Sequence, residues 1–478
     1  MVKTLFDISN ALAPPDFVSS WVTISAYSNP EIDISHGLNE LPLKVEVQIK
    51  VFDHSFLGKD ILFLATGSAQ RGNDNALPFG GVLYVYNNET IKIMAPGPKG
   101  CTNPYCTGFL VYLGKNSTFG GKDPIHRSFT DGFVRARVWK ACSLPRPQFI
   151  SEEIQMSSGD SKSITNGHNT TWVIVRVHIE QDWVYEAQGS VFYETSSHPF
   201  GGVIFAFRDR QIRLWVPKRG AGSSNANGVP FNAINGWGES GDFGYSKTVR
   251  VRAFVWDFKS FDRNPIIVEQ TSYINNDNFI SVPPGYSFHD NNLLLFSIKA
   301  ESGNNQGYQF YPAGSSMTDG TTDSNNTKFG SLVYGFTDDK IYYWTPNFNA
   351  SGCVLLLDGL WGSQNQQHCL SANDVTLMIT LSVLEVEEPA CGMLPCAGAS
   401  DRGPECKCTG SGMEGQFCDI NIYTTSNFVV GVGSGNTSTA VYIEPSCFEN
   451  KNLFSISYKD ENNPLPMLIT NDNTIFFG

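Results

Sequence analysis

The strongest hydrophobic pattern in this chain is a hairpin written three times. PFGGVLYVYNNETIKIMAP at 78–96 returns without a gap as PFGGVIFAFRDRQIRLWVP at 199–217 and as KFGSLVYGFTDDKIYYWTP at 328–346. The second strand of each copy alternates: Ile91 and Ile93, Ile212 and Leu214, and Ile341 and Tyr343 point one way. Lys92 and Met94, Arg213 and Trp215, and Tyr342 and Trp344 point the other way. The first strand is apolar on both faces, with Val82, Tyr84 and Tyr86 interleaved with Leu83 and Val85. That pattern predicts a central strand of a packed sheet, not an edge. Asn87-Asn88-Glu89, Arg208-Asp209-Arg210 and Thr337-Asp338-Asp339 join the strands. They suit tight turns, in which Asn and Asp tolerate a positive φ.

The starts of the copies lie 121 and 129 residues apart, the length of a domain and not of a solenoid unit. Other landmarks keep step. Leu43–Val51, Trp172–Ile179 and Leu293–Ala300 read as strands upstream, and Val134–Trp139, Val251–Trp256 and Ile379–Leu384 close each module downstream. A Gly-Ser pair recurs between strand and motif at Gly67-Ser68, Gly189-Ser190 and Gly314-Ser315, and His36, His168 and His289 precede the first strands as expected turn residues. The predicted fold is all-β: tandem antiparallel β-sandwich modules, each around its own core, with one small disulfide-rich module. The boundaries are 1–17 for an N-terminal segment, 18–142, 143–265 and 266–389 for three sandwiches, 390–420 for the small module and 421–478 for an incomplete fourth sandwich. Asn452–Ser457 resembles Asn292–Ile298, and Phe477-Gly478 matches the start of the hairpin motif. The chain is therefore expected to be a segment of a longer array; the alternative is a fourth module completed by strand addition from a neighbouring chain.

Composition changes the picture little. Aromatic residues make up 13% and charged residues 17%, with 45 Gly and 25 Pro punctuating short strands. A net charge of −13 argues against nucleic-acid and anionic-membrane partners. No apolar run reaches transmembrane length, and the opening MVKTLFDISNALAPP lacks one of signal-peptide length.

Eleven cysteines do change it. Cys101 and Cys106 flank a short loop, Cys353 and Cys369 are placed to staple the corresponding region of the third module, and Cys142 has no evident mate. Being odd in number, they leave at least one thiol free or paired elsewhere. CGMLPCAGASDRGPECKCTGSGMEGQFC, from Cys391 to Cys418, resembles an epidermal-growth-factor-like module through Cys396, the Cys406-Lys407-Cys408 pair and the Gly412, Gly415 and Cys418 ending. It departs from that family in having five cysteines, with Ser400 near the third position, and in Met413 at the usual aromatic. The resemblance implies pairing of Cys396 with Cys406 and of Cys408 with Cys418, which leaves Cys391 without its partner; Cys447 is a candidate to replace it. It also implies an extracellular, oxidising setting. Glu385, Glu387 and Glu388 precede Cys391, but Pro389-Ala390 disturbs the spacing of the calcium-binding variants, so no cofactor is expected and calcium is the only one with any support.

Sequons stand at Asn88, Asn116, Asn169, Asn325, Asn349 and Asn436. No GxSxG, HExxH, P-loop or dinucleotide signature is present, and the chain reads as a non-enzyme. Two functions remain. The first is a secreted structural or adhesive glycoprotein of a filament, coat or matrix, whose partners are copies of itself or neighbouring matrix proteins. The second is a multivalent carbohydrate-binding array, in which the aligned Met94, Trp215 and Trp344, beside Lys92, Arg213 and Tyr342, form either a glycan site or a contact between modules.

Overall fold

The structure is a computed structural model. It describes residues 13–53, 58–68, 78–97, 101–102, 105–114, 120, 127–179, 182–188, 200–218, 228–233, 237–238, 245–258, 266–270, 279–282, 292–312, 317–318, 329–330, 332–346, 352–357 and 361–383, and beyond these 405–407, 414–416, 439–442, 467–469 and 474–477. The repeated motif forms hairpins at Leu83–Tyr86 and Thr90–Met94, Ile204–Arg208 and Gln211–Trp215, and Val333–Phe336 and Lys340–Trp344. Only the second turn uses a positive φ at a non-glycine residue, at Asp209. In the first, Asn87 Oδ1 accepts from the Glu89 and Thr90 amides, and in the third Thr337 Oγ1 donates to Asp339. Side-chain hydrogen bonds thus set those two turns. A third strand, Glu31–Ser35, Ser161–Thr165 or Phe279–Ser281, pairs with each returning strand to complete a three-stranded arm.

The rest of each repeat is a base. Lys44–Asp53 lies between Asp131–Trp139 and Lys59–Leu64; Trp172–His178 lies between Thr248–Trp256 and Val184–Glu186; Asn292–Ala300 lies between Val375–Val383 and Gln309–Phe310. Arm and base of one repeat belong to different sheets. Tyr86 of the first arm pairs with Val184 of the second base, Phe207 of the second arm with Gln309 of the third base, and Phe336 of the third arm with Leu62 of the first base. The result is a cyclic, pseudo-threefold arrangement of sheets with eight, eight and seven strands.

This arrangement explains the two-sided apolar strand. In the first repeat, Val45, Val47 and Ile49 of the base pack against Tyr84, Tyr86, Ile91 and Ile93 of the arm. The opposite face of that arm sends Leu83, Val85 and Met94 into the core of the second repeat. Ile204, Ala206 and Trp215 enter the third core in the same way, and Val333, Tyr342 and Trp344 enter the first. Each arm is a wall with a core on either side. The expected all-β antiparallel sandwiches are present, but neither sheets nor cores stop at the repeat boundaries near 142 and 265: each core is completed by residues from the arm of another repeat, where a private core was expected. Side-chain volume at the seams is complementary: the third arm carries Gly335 where the first has Val85, and Phe63 of the first base fills the space beside it.

One further feature departs from the sequence reading. Short parallel pairs join Phe79–Gly80 to Gly108–Phe109, Phe200–Gly201 to Gly228–Val229 and Phe329–Gly330 to Gly352–Cys353. The glycines permit this approach, since a Cβ at Gly80 or Gly201 would lie 2.5 Å from Tyr112 or from the Val229 carbonyl. Of the two C-terminal modules the structure describes a strand pair, Glu405–Lys407 with Glu414–Gln416, and a three-stranded antiparallel sheet of Thr439–Tyr442, Thr474–Phe477 and Met467–Ile469. Their remaining expectations lie outside the described residues.

Trp344 is 1% exposed and sits beside Phe63, with ring centroids 5.9 Å apart. Trp344→Ala is expected to destabilise the fold by about 3–5 kcal/mol, the usual cost of deleting a buried large aromatic. Denaturant unfolding followed by tryptophan fluorescence measures it; a change below about 1 kcal/mol would mean that the third arm does not seal the first core.

Candidate functional site

The three bases meet around a common centre, where the polar chemistry of the interior is concentrated. A cavity of about 120 Å³ there is lined by Tyr84, Phe205 and Tyr334 of the three arms, which occupy one motif position, and by Glu186, Tyr311 and Leu64 of the three base edge strands and the residues following them. This is well below the volume of a typical small-molecule pocket.

One wall of the cavity carries a linkage between repeats. Glu186 of the second repeat accepts from the Val45 amide at 2.7 Å and lies 3.5 Å from Lys44 Nζ, both in the first repeat. Tyr311 of the third repeat presents its hydroxyl to the Val173 amide of the second at 3.5 Å, the corresponding place one repeat on. At the third such place stands Leu64, which has no acceptor atom. Burial pushes the Glu186 carboxyl above its ordinary range, against the opposing pull of Lys44 and the Val45 amide. Arg176, opposite Glu186 in register, donates to the Pro42 carbonyl at 2.5 Å and adds a further tie to the first repeat. Burial, and then the charges of Arg176, Arg250 and Arg252, hold His178 neutral, with its pKa down at about 3. Arg137 and Glu46 form a buried ion pair at 3.0 Å.

The outer ends of the arms are clamped as well. The amides of Gly120, Gly238 and Gly362 donate to the carbonyls of Thr345, Ala95 and Val216 at 2.9, 2.9 and 3.0 Å, each across a seam. Trp237 and Trp361 bridge to Pro96 and Pro217, the final residues of the motif copies. The recurring aromatic-glycine pair Phe119-Gly120, Trp237-Gly238 and Trp361-Gly362 is the sequence signal that marks these clamps. Gly67 of the first Gly-Ser pair is a seam residue too: a Cβ there would overlap the Tyr185 ring, and Ser68 Oγ accepts from the Asn232 amide at 3.0 Å.

The aligned candidates are seam residues. Met94, Trp215 and Trp344 are 2%, 1% and 1% exposed, inside the core of the following repeat. Trp215 Nε1 donates to the Gln364 carbonyl at 2.9 Å. All three are closed off from solvent and contact the core of the neighbouring repeat. Their neighbours differ: Lys92 pairs with Glu31 and Asp33 of its own repeat, Arg213 donates to Asn305 Oδ1 of the next repeat at 2.7 Å, and Tyr342 is buried against Phe279 and Trp344. His36 bonds through its ring to the Asn87 carbonyl and the Leu38 amide, as a turn residue, and the exposed His168 sits in an Asn166 turn.

Cys353 and Cys369 form the expected disulfide, with Cα atoms 5.1 Å apart. Cys101 and Cys106 stand opposite each other in backbone register, and Cys142 is disulfide-bonded. Asn88 and Asn169 are exposed. Asn116, Asn325, Asn349 and Asn436, the side chain of Cys406, and Cys391, Cys396, Cys408, Cys418 and Cys447 lie outside the described residues, as do Glu385, Glu387 and Glu388.

Glu186→Ala strands the Val45 amide and is expected to cost about 1–3 kcal/mol, whereas Glu186→Gln keeps an acceptor there and costs less. Chemical denaturation of both variants checks the order. The depressed His178 pKa makes the folded state bind fewer protons than the unfolded state between about pH 6.5 and pH 3, so this group's contribution is present above pH 6.5 and is lost as pH falls towards 3. His178→Gln is expected to lose less stability than the parent between pH 7 and pH 4, read as the difference in thermal midpoints; an equal loss in both would contradict a buried neutral imidazole. The chain matches no protein-family model, no curated protein and no solved structure in comparisons with each.

Proposed function

We propose that this chain is a structural or adhesive glycoprotein of the extracellular space, acting as a stiff repeat-built unit in a filament, coat or matrix. The observation that carries this reading is the fusion of three repeats through shared sheets. A load on one repeat is passed to the next through the strand pairs that join the sheets, Tyr86 with Val184, Phe207 with Gln309 and Phe336 with Leu62, and through buried seam residues. The Cys353–Cys369 disulfide, the disulfide-bonded Cys142 and the exposed sequons at Asn88 and Asn169 support an oxidising, glycosylating compartment. The growth-factor-like segment at 391–418 supports it as well. In this reading the chain is not an enzyme; its partners are copies of itself or neighbouring matrix components, with no nucleic acid and no membrane-spanning helix.

The full chain, expressed through a secretory pathway, is expected to run heavier than its sequence mass and to shift on N-glycosidase treatment. It is also expected to form regular filaments or sheets when concentrated, as seen by negative-stain electron microscopy. Unglycosylated protein that stays monomeric across the whole concentration range would overturn the reading.

A further inference from the structure

The three repeats serve as controls for one another, and one surface breaks their equivalence. On the face of the first base turned away from its core, Phe133 pairs with Lys50 across the strands. The same register holds Arg250 with His178 in the second repeat and Thr376 with Lys299 in the third. Two residues beyond Lys50 stands Phe52, and the third repeat has Glu301 there. Ser19 and Ser151 fix a further equivalence, because each accepts the amide of its partner strand, Ala136 or Ala253. Two residues beyond them stand Trp21 and Glu153.

The sister repeats fill these positions with ion pairs, Arg250 with Glu153 at 3.2 Å and Lys299 with Glu301 at 3.0 Å. The fold therefore asks only for polar residues here. The first repeat instead shows Phe52 and Phe133 to solvent at 44% and 41% exposure, while Trp21 is half-buried and packs against the core of the third repeat. Lys50 Nζ lies 4.6 Å from the Trp21 ring centroid and 5.1 Å from that of Phe133, which holds the lysine stem between two rings.

We infer that this face is a binding platform for a neutral glycan. Aromatic rings offer a π-face to the C–H side of a pyranose, where burial of apolar surface supplies affinity. Polar groups around the rings can meet hydroxyls of either hydrogen-bonding sense: Lys50 donates, while Asp60, 3.8 Å from Lys50, and the exposed Asp131 accept. Arg135 is buried and held by Gln48, which leaves Lys50 with the carboxylates Asp60 and Asp131 at the surface, so the platform has no excess of positive charge that would select an acidic ligand. It is separate from the buried Met94, Trp215 and Trp344, and it stands whether or not the chain assembles into filaments.

The test uses residues the fold already accepts elsewhere: Phe52→Glu, as in the third repeat, and Phe133→Arg, as in the second. Full-length parent and double variant are passed over an array of neutral and acidic oligosaccharides. Retention of at least one neutral glycan by the parent, reduced tenfold or more in the double variant with its thermal midpoint within about 2 °C, is the expected result. No retention of neutral glycans, retention of acidic glycans alone, or retention unchanged in the double variant would overturn the platform. Loss of self-association in the variant without any glycan binding would do the same, assigning the face to protein contact. Should Phe133→Arg fail to fold, Phe133→Thr, its counterpart in the third repeat, gives the same reading.

Discussion

The structure depends on a sheet that has a core on each side. A strand in such a wall cannot send polar residues to either face, because either face would place them in a dry interior without partners. Val82, Tyr84 and Tyr86 serve the first core while Leu83 and Val85 serve the second, and the other two copies of the motif obey the same division. A lone sandwich would leave one face of this strand exposed and apolar. The repeats therefore need each other, and the dependence closes into a cycle because the third arm returns to the first base.

Closure fixes where variation is tolerated. At the seams, substitutions come as complementary sets: Gly335 makes room for Phe63, and Trp344 completes the core that Gly335 leaves less filled. At the centre the three equivalent places hold Glu186, Tyr311 and Leu64, so an ionic acceptor, a hydroxyl and an apolar side chain occupy one position in turn. Position in the cycle thus sets geometry, and chemistry can differ between copies. The solvent face of the first base takes this furthest, with aromatic residues where its sisters carry ion pairs.

Much of this was legible in the chain. The hairpin pattern gave the strands, their facing and the central character of the outgoing strand, and Cys353 and Cys369 stood out as candidates for the staple they form, although spacing alone did not fix their pairing. Which sheet an arm joins was not legible, because alternation fixes the two faces of a strand and says nothing about its lateral neighbour. The same limit applied to Trp215 and Trp344, since an aromatic opposite a core-facing residue reads alike on an exposed face and on a second core. Glu186 and Lys44 gave no signal, being 142 positions apart and matched in no other repeat. The Trp-Gly pairs at 237 and 361 were a readable signal, although their role needs the seam to be seen.

The central claim is that the third arm closes onto the first base of its own chain. Lys59 Nζ lies 2.7 Å from Asp339 Oδ1 across that seam, with both side chains accessible and 280 positions apart. Carbodiimide treatment of monomeric protein forms a zero-length amide between such a pair, which peptide mass spectrometry detects. The account predicts a Lys59–Asp339 cross-linked peptide in the monomer fraction. Its absence there, or its presence only in dimers and larger species, would contradict a ring closed within one chain.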